Sequence, residues 1–286
     1  MALDTTSETA PESTPEDDLA ILHLRDLRRT ITPAGRVSRA QWTTLTERAL
    51  VELWESALSD QGVIGEPKGL ALAAVGSLGR RDCGPESDID LVLLHDGGVH
   101  LELRDGIQGL ADALWYPIWD SHIELDHSVR SLKECRGIAK TDLKASLGLL
   151  DIRRIAGDRT LVEKATSAIL ADWRSGARLR FDEIAEDQTE RRRRFGRLAY
   201  LIEGDIKEAA GGLRDGILIK ALVASWLAER PAIEYEDSYE FLLDVRDALA
   251  SVSHRHNHVL RLGYQDEVAE LLGFMGRAGM IRPMSF

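Results

Sequence analysis

The chain has 286 residues, of which 44% are hydrophobic and 29% are charged, and its formal net charge at pH 7 is −12. This length permits a substantial core and predicts two packed units, or one domain with helical extensions, since single domains usually contain about 100–200 residues. The negative charge argues against tight, sequence-independent binding to nucleic acid or to an anionic membrane, because both would repel an acidic surface.

The cysteines and the apolar segments indicate the cellular compartment. Cys83 and Cys135 are too few for a disulfide framework or for a cysteine-ligated zinc site. No apolar run approaches the ~20 residues needed to cross a bilayer, and the N-terminus lacks the basic and then apolar order of a signal peptide. We therefore expect a soluble, cytoplasmic protein without a membrane or nucleic-acid partner.

Two helices are predicted before the first strand. Residues 1–18 carry almost no large apolar side chain, so they bury too little surface to offset the entropy of ordering, and we expect a disordered tail. From Leu19 to about Leu58 the apolar residues recur at helical spacing, which predicts two amphipathic helices.

Three strands are predicted in the next part of the chain. The segments GLALAAVG and IDLVLLH are short apolar runs bounded by glycine and polar residues, as is typical of buried strands. After a predicted helix at about 101–119, the segment HIELDHSVR alternates apolar and polar residues. This alternation predicts a strand with Glu124 and Asp126 on the same face.

Helical periodicity is the only pattern found after Ser131, and no further strand is predicted. The predicted fold class is α/β in the broad sense (α+β), with a sheet-containing domain at 19–140 that includes the N-terminal helices, a helical domain at 141–275 and a tail at 276–286. A cleft between the two domains would be a natural ligand site. The predicted helices lie near 131–150, 159–173, 176–203, 213–229, 238–254 and 265–273.

A glycine-containing turn follows the first predicted strand. Gly76, Ser77 and Gly79 leave that strand with little side-chain bulk, so backbone N–H groups can approach a phosphate. Arg80 and Arg81 add positive charge beside the turn. The segment therefore predicts a phosphate-binding turn.

Paired carboxylates stand at the start of the second predicted strand. Asp88 and Asp90 flank Ile89, and residues two apart in a strand point to the same side. Two carboxylates about 7 Å apart repel each other unless a cation lies between them, and oxygen ligands of this kind suit Mg²⁺ shared with substrate phosphates. A two-metal site is the mechanism that this pattern favours.

A third carboxylate is expected from the third predicted strand. Glu124 is the preferred candidate to bind metal or to accept the proton of the acceptor, and Asp126 is its substitute. Each motif alone also fits an ordinary glycine turn or an acidic strand start. The spacing favours function, because Asp88 begins the buried strand twelve residues after Gly76.

The segment VGSLGRRDCGPESDIDLVLLH resembles the DNA polymerase beta nucleotidyltransferase superfamily. Within it, the segment is similar to the bacterial protein-PII nucleotidyltransferases, the uridylyltransferase/uridylyl-removing nitrogen sensors, whose pattern reads close to GGYGRGELxPxSDIDLL. Two later segments, IWDSHIELDHSVRSLKEC and YLIEGDIKEAAGGLRDG, resemble more specific motifs of the same family. The resemblance extends over roughly 37–273.

The resemblance implies a fold, an activity and a set of site residues. The fold would be a small mixed sheet flanked by helices, followed by a helical domain. The activity would be transfer of UMP or AMP from UTP or ATP to a tyrosine of the PII signalling protein, with Mg²⁺ as cofactor. The candidate nucleotide-binding residues are Gly76, Ser77, Gly79, Arg80, Ser87, Lys207 and Arg214, and the candidate catalytic and metal-binding residues are Asp88, Asp90 and Glu124.

The sequence departs from the family pattern at several positions. Arg81 and Asp126 each replace a glycine, which predicts a stiffer loop and a more acidic site. The family continues into a phosphohydrolase domain and two glutamine-sensing domains beyond the part that resembles this chain. The resemblance therefore implies that nucleotide removal and glutamine sensing are absent from this polypeptide.

Two other functions compete with modification of PII. One is an orphan nucleotidyltransferase with a different protein or small-molecule acceptor, and the other is an inactive copy that binds PII or nucleotide as a regulator. Intact Asp88 and Asp90 argue against the inactive copy, because such a copy does not need paired carboxylates.

Three further motifs have structural interpretations as well as functional ones. Lys207 and Arg214 fit a loop that closes over the nucleotide, although the glycines between them also fit a helix end. The four arginines at 191–194 fit a solvated helix face better than a triphosphate contact. The histidines of SHRHNH fit a polar turn better than a zinc site.

Overall fold

A computed structural model describes residues 19–98, 100, 102–231 and 233–274. The tails predicted at 1–18 and 276–286 lie outside this part of the chain. Four strands form one sheet: β1 (Leu70–Ala74), β2 (Ile89–His95), β3 (Leu125–Ser131) and β4 (Arg153–Gly157). The helices are α1 (Ala20–Arg29), α2 (Arg36–Asp60), α3 (Gly76–Arg80), α4 (Gly106–Asp120), α5 (Leu132–Thr141), α6 (Leu143–Leu150), α7 (Arg159–Phe195), α8 (Leu213–Ala224), α9 (Ile233–Ser253) and α10 (Leu262–Leu271).

The sheet is mixed, with strand order β3-β2-β1-β4. β2 and β3 are parallel, while β1 is antiparallel to both of its neighbours. Every residue of β1 is buried because helices cover both faces of the sheet. Leu70 and Leu72 belong to the core shared with α1, α2 and α4, while Ala71 and Ala73 belong to the core shared with α5, α6 and α7. The mixed α and β architecture and the three predicted strands are confirmed.

The fourth strand corrects the prediction that no strand follows Ser131. β4 pairs with β1 and forms the edge of the sheet opposite β3. Its first two residues are arginines, so it lacks the apolar run that identified β1 and β2. Arg153 instead donates to the carbonyl oxygens of Leu78 and Gly79. The predicted domain boundary between residues 140 and 141 stays a prediction. β4 lies after this boundary in the chain but belongs to the sheet.

The observed helices differ from the predicted ones mainly in where one helix ends and the next begins. The single helix predicted at 131–150 is two helices, because the Asp142 side chain accepts from the Ala145 N–H and starts α6. The helices predicted at 159–173 and 176–203 are one helix, α7, of 37 residues. Among the described residues, no helix is long and apolar enough to span a membrane.

α7 connects the sheet to the helical part of the molecule. Its first half packs Leu161 and Ile169 against the sheet. Its second half packs Trp173 and Ile184 against Leu218 of α8. The α9 helix also contacts the sheet-containing part, because its Arg246 donates to the carbonyl oxygen of Asp82 and lies within 2.6 Å of it.

Candidate active site

The turn after β1 leads into α3, and Gly76 is its first residue. Gly76 has φ +57°, in the left-handed region that favours glycine. A Cβ at this position would lie 2.1 Å from Oδ2 of Asp90. Glycine is required here because the turn and the carboxylate approach each other so closely. The sequence alone could not predict this reason for the glycine.

Ser77 gives the turn a polar atom without a partner. Its Oγ is buried and has no hydrogen-bond partner among the described residues. The residue lines the same cavity as Asp88 and Asp90. A buried hydroxyl without a partner is costly, so this position suits a ligand that supplies a hydrogen-bonding oxygen.

Gly79 and Ser87 have packing roles in this structure. A Cβ on Gly79 would lie 2.4 Å from the carbonyl oxygen of Asp151, and the residue does not line the cavity that contains the carboxylates. Ser87 closes a turn, because its Oγ accepts from the backbone N–H of Gly84 at 2.7 Å. Both residues therefore shape the loop from outside the cavity.

Arg80 lines the cavity, but its guanidinium is already paired. It lies 2.8 Å from Asp82 and 2.9 Å from Asp151. These carboxylates raise the pKa of Arg80 in spite of its burial, so it stays cationic. Its charge contributes to the cavity, while its hydrogen bonds fix the end of α3.

Asp88 and Asp90 line the cavity together with Asp126 of β3. Asp90 and Asp126 are direct neighbours across the parallel pair of β2 and β3. Burial raises the pKa of Asp90 to about 7, with further contributions from the negative charges of Asp88 and Asp126. Three acidic side chains thus converge on one side of the sheet.

Glu124 lies outside this group of carboxylates. It precedes β3, its side chain is 78% exposed, and its carboxylate lies 3.4 Å from Nδ1 of His256. The cavity lining includes Asp126 and does not include Glu124. The structure therefore brings the substitute candidate, and not the preferred one, beside Asp90.

Lys207 and Arg214 approach the carboxylates from the helical side. Both line the cavity, and their backbones are joined because the Arg214 N–H donates to the Lys207 carbonyl at 2.9 Å. Burial lowers the pKa of Lys207, while the charges of Asp88 and Asp90 oppose that shift. The Arg214 guanidinium lies 2.8 Å from Glu208.

The cavity has a volume of about 450 Å³. Its walls come from α3, from the sheet edge formed by β2 and β3, from α6 and from α8. The carboxylates of Asp88, Asp90 and Asp126 line this cavity. The side chains of Arg80, Lys207 and Arg214 line it too and supply positive charge. Among the described residues, no three His, Cys, Asp or Glu side chains form a ready metal cage. A divalent ion would need ligands from a substrate as well as from the protein.

The sequence is similar to those of known proteins. A family model described as GlnD PII-uridylyltransferase matches residues 217–284. The chain is 45% identical over 241 residues to a Streptomyces coelicolor protein named bifunctional uridylyltransferase/uridylyl-removing enzyme, and this alignment covers 82% of the chain and 28% of that protein. The chain belongs to the family of these enzymes.

Further relatives of this uridylyltransferase-family chain have the same name. Those from Mycobacterium tuberculosis and Corynebacterium glutamicum are each 39% identical to it, over 279 and 211 residues. The alignments cover 94% and 74% of this chain but 33% and 29% of the relatives. The chain thus spans about a third of the length of the curated relatives that it matches.

The sequence patterns do not identify two of the lysines and arginines that line the cavity of this family member. Arg130 follows Asp126 and Ser128 at alternate positions of β3, so the strand periodicity was a usable signal. Lys144 of α6 also lines the cavity, and no local pattern pointed to it. Only the packing of α6 places Lys144 in the lining of the cavity that contains Asp90.

The remaining motifs of this uridylyltransferase-family chain do not line the cavity that contains Asp88 and Asp90. Arg192, Arg193 and Arg194 are exposed, while Arg191 is buried between Asp187 and Asp215. In SHRHNH, the Nε2 atoms of His256 and His258 are 2.9 Å apart. Burial lowers the pKa of His258 to about 2, so this imidazole is neutral.

Proposed function

We propose that this chain is a Mg²⁺-dependent nucleotidyltransferase that transfers UMP or AMP from UTP or ATP to the PII signalling protein. The observation that carries the proposal is the convergence of Asp88 and Asp90 with the Gly76–Ser77 turn in one cavity. The names of the relatives support uridylyl transfer, and the name of the family model supports PII as the acceptor.

The carboxylates fit a divalent cation. Asp90 is partly buried beside two other acids, and that crowding is costly unless a positive charge offsets it. Mg²⁺ is usually held by one or two carboxylates together with substrate phosphates, which agrees with the absence of a closed cage in the described residues. Asp88 and Asp90 would hold the ion, which would neutralise phosphate charge and stabilise the leaving pyrophosphate.

The other cavity residues would orient the triphosphate. The first N–H groups of α3 have no carbonyl partner within their own helix, and the Ser77 hydroxyl beside them is unpaired among the described residues. Lys207 and Arg214 would contact phosphate oxygens from the opposite wall. The triphosphate would thus be held from two sides with its α-phosphate near the carboxylates.

Asp126 is the proposed proton acceptor. It neighbours Asp90 in the sheet and is exposed, so an incoming tyrosine hydroxyl could reach it. Glu124 faces His256 instead. We expect Asp126→Asn to lower kcat by at least about 100-fold, the usual contribution of a general base, while Glu124→Gln lowers it less than about threefold.

The direct test is a nucleotide-transfer assay with PII and each of the four labelled triphosphates. We expect label on PII with UTP or ATP, dependence on Mg²⁺, and loss of transfer in Asp90→Ala. Equal transfer by Asp90→Ala and the wild type would contradict the mechanism. Label on another acceptor would indicate a different substrate, and nucleotide binding without pyrophosphate release would indicate a regulator.

A further inference from the structure

Arg28 of α1 is a buried cation that touches the loop in front of Asp88. Arg28 is 1% exposed to solvent. The guanidinium donates through Nε and Nη2 to the Thr46 hydroxyl, at 3.1 and 2.8 Å, and through Nη1 to the Ser87 carbonyl, at 2.8 Å. Among the described residues, no carboxylate oxygen lies within 4.0 Å of it.

Burial of a guanidinium without a paired carboxylate is energetically costly. Arg28 therefore contributes something other than the stability of an ion pair. Its hydrogen bond to Ser87 fixes the peptide group that joins Ser87 to Asp88. A peptide group is planar, so fixing its carbonyl also fixes the N–H of Asp88.

The neighbouring arginines of α1 hold the same loop. Arg29 lies 2.5 Å and Arg25 lies 3.5 Å from the carboxylate of Glu86, whose side chain is 7% exposed. Glu86 stands two residues before Asp88. The helix α1 thus contacts the loop 86–88 through three arginines, and only Arg28 reaches the backbone next to the carboxylate.

We infer that Arg28 is a positioning residue for Asp88, holding the 87–88 peptide group so that the carboxylates of Asp88 and Asp90 face one metal ion together. This inference rests on the proposed function, because it assigns Arg28 a role at the same site. The forked guanidinium suits the task, since it spans Thr46 and Ser87 at once. A lysine keeps the charge but reaches only one of them.

Arg28→Lys is the informative variant because it preserves the charge. A matched control is Trp42→Phe, which removes the 2.9 Å bond from Trp42 Nε1 to the Arg28 carbonyl but leaves the Ser87 contact in place. Both variants perturb the packing of α1 against α2. Only Arg28→Lys releases the loop in front of Asp88.

Three measurements on the 286-residue chain test the inference. With a non-hydrolysable UTP or ATP analogue present, Mn²⁺ binding by electron paramagnetic resonance should weaken about fivefold in Arg28→Lys and stay at the wild-type value in Trp42→Phe. Hydrogen exchange should rise over residues 84–90 in Arg28→Lys alone. In the transfer assay, kcat should fall about 10- to 100-fold with KM for the nucleotide unchanged, since misplaced catalytic groups cost rate more than binding.

The outcomes separate this inference from the proposed function. If the wild type binds Mn²⁺ and Asp90→Asn does not, while Arg28→Lys binds it with wild-type affinity and exchange, the positioning role is wrong and the proposed function stands. If the wild type shows no binding that depends on Asp90, both are wrong. Equal weakening in Arg28→Lys and Trp42→Phe would also overturn the inference, because it would indicate packing alone.

Discussion

Asp90 combines partial burial with two acidic neighbours. Its pKa is raised to about 7 by burial first and then by Asp88 and Asp126. An unfolded aspartate has a pKa near ~3.9. Between these two values the folded chain holds a proton that the unfolded chain has released. Folding stability must therefore fall as the pH rises through this window.

The substitution Asp90→Asn removes this pH dependence. We compare the unfolding free energy of Asp90→Asn with that of the wild type in EDTA. The variant minus wild-type difference should be about 2–4 kcal/mol larger at pH 8 than at pH 4.5, since one pKa unit corresponds to ~1.4 kcal/mol. Urea denaturation at the two pH values measures it. A constant difference between the proteins would contradict the raised pKa. Mg²⁺ should reduce the loss in the wild type alone.

Gly76 is a residue of the turn where substitution should disturb the site directly. In Gly76→Ala, the left-handed conformation costs about 1–2 kcal/mol of stability, and the new Cβ displaces the Asp90 carboxylate. We expect transfer to fall by about 100-fold or more. Thermal denaturation and the transfer assay measure the two effects.

Gly137→Ala is the matched control for Gly76→Ala. Gly137 lies inside α5, with φ outside the left-handed region and no atom within 4 Å of an added Cβ. Alanine should stabilise this helix by about 0.5–1 kcal/mol and leave transfer unchanged. Equal losses at both positions would mean that the approach of Asp90 to Gly76 has no functional role.

At the scale of elements, Arg191 connects α7 to α8. Its guanidinium contacts Asp187, Asp215 and the Glu208 carbonyl, and Asp215 also accepts from the Gly211 N–H. This chain of contacts supports the loop that presents Lys207. The neighbouring Arg193 is exposed, and Glu190 is its one ion-pair partner among the described residues. One helix thus carries a structural and a solvent-facing arginine two residues apart.

Arg191→Met should therefore act differently from Arg193→Gln. Loss of Arg191 leaves Asp215 without its partner and should lower the unfolding free energy by about 1–3 kcal/mol, with a higher KM for the nucleotide. Arg193→Gln should change the unfolding free energy by less than about 0.5 kcal/mol. Urea denaturation and steady-state kinetics compare the two variants. Similar values for both would show that the α7–α8 contact is unimportant.

At the scale of the whole molecule, Asp247 of α9 joins the helical part to the sheet-containing part. It is 1% exposed and accepts from Arg39 of α2 at 3.0 Å. It also pairs at 2.6 Å with Arg246, whose guanidinium reaches the Asp82 carbonyl after α3. The same network thus supports the segment that follows α3. Both parts should unfold in one transition.

Asp247→Asn tests this connection. Two buried guanidinium groups lose a shared counter-charge, so we expect the unfolding free energy to fall by about 3 kcal/mol or more. Asp244→Asn is the control, since Asp244 contacts Arg39 but its side chain is 30% exposed. We expect it to cost about 1 kcal/mol. Equal costs in chemical denaturation would contradict a central role for Asp247.

The sequence by itself determined the parts of this protein that depend on local periodicity. β1, β2 and β3 were predicted because a buried strand needs apolar runs or strict alternation, and the chain supplies both. The prediction that Asp88 and Asp90 face one point follows from the same alternation, and both line one cavity although β2 begins at Ile89, one residue after Asp88. These features need no knowledge of distant residues.

Tertiary structure decided whatever depends on residues far apart in the chain. β4 forms because β1 offers a free edge, although its arginines hide it from periodicity. Asp126 is the acid beside Asp90 because the parallel register of β2 and β3 aligns them, and no spacing rule specifies register. Arg28 reaches Ser87 across 59 residues. Such contacts arise only when packing brings separate elements together.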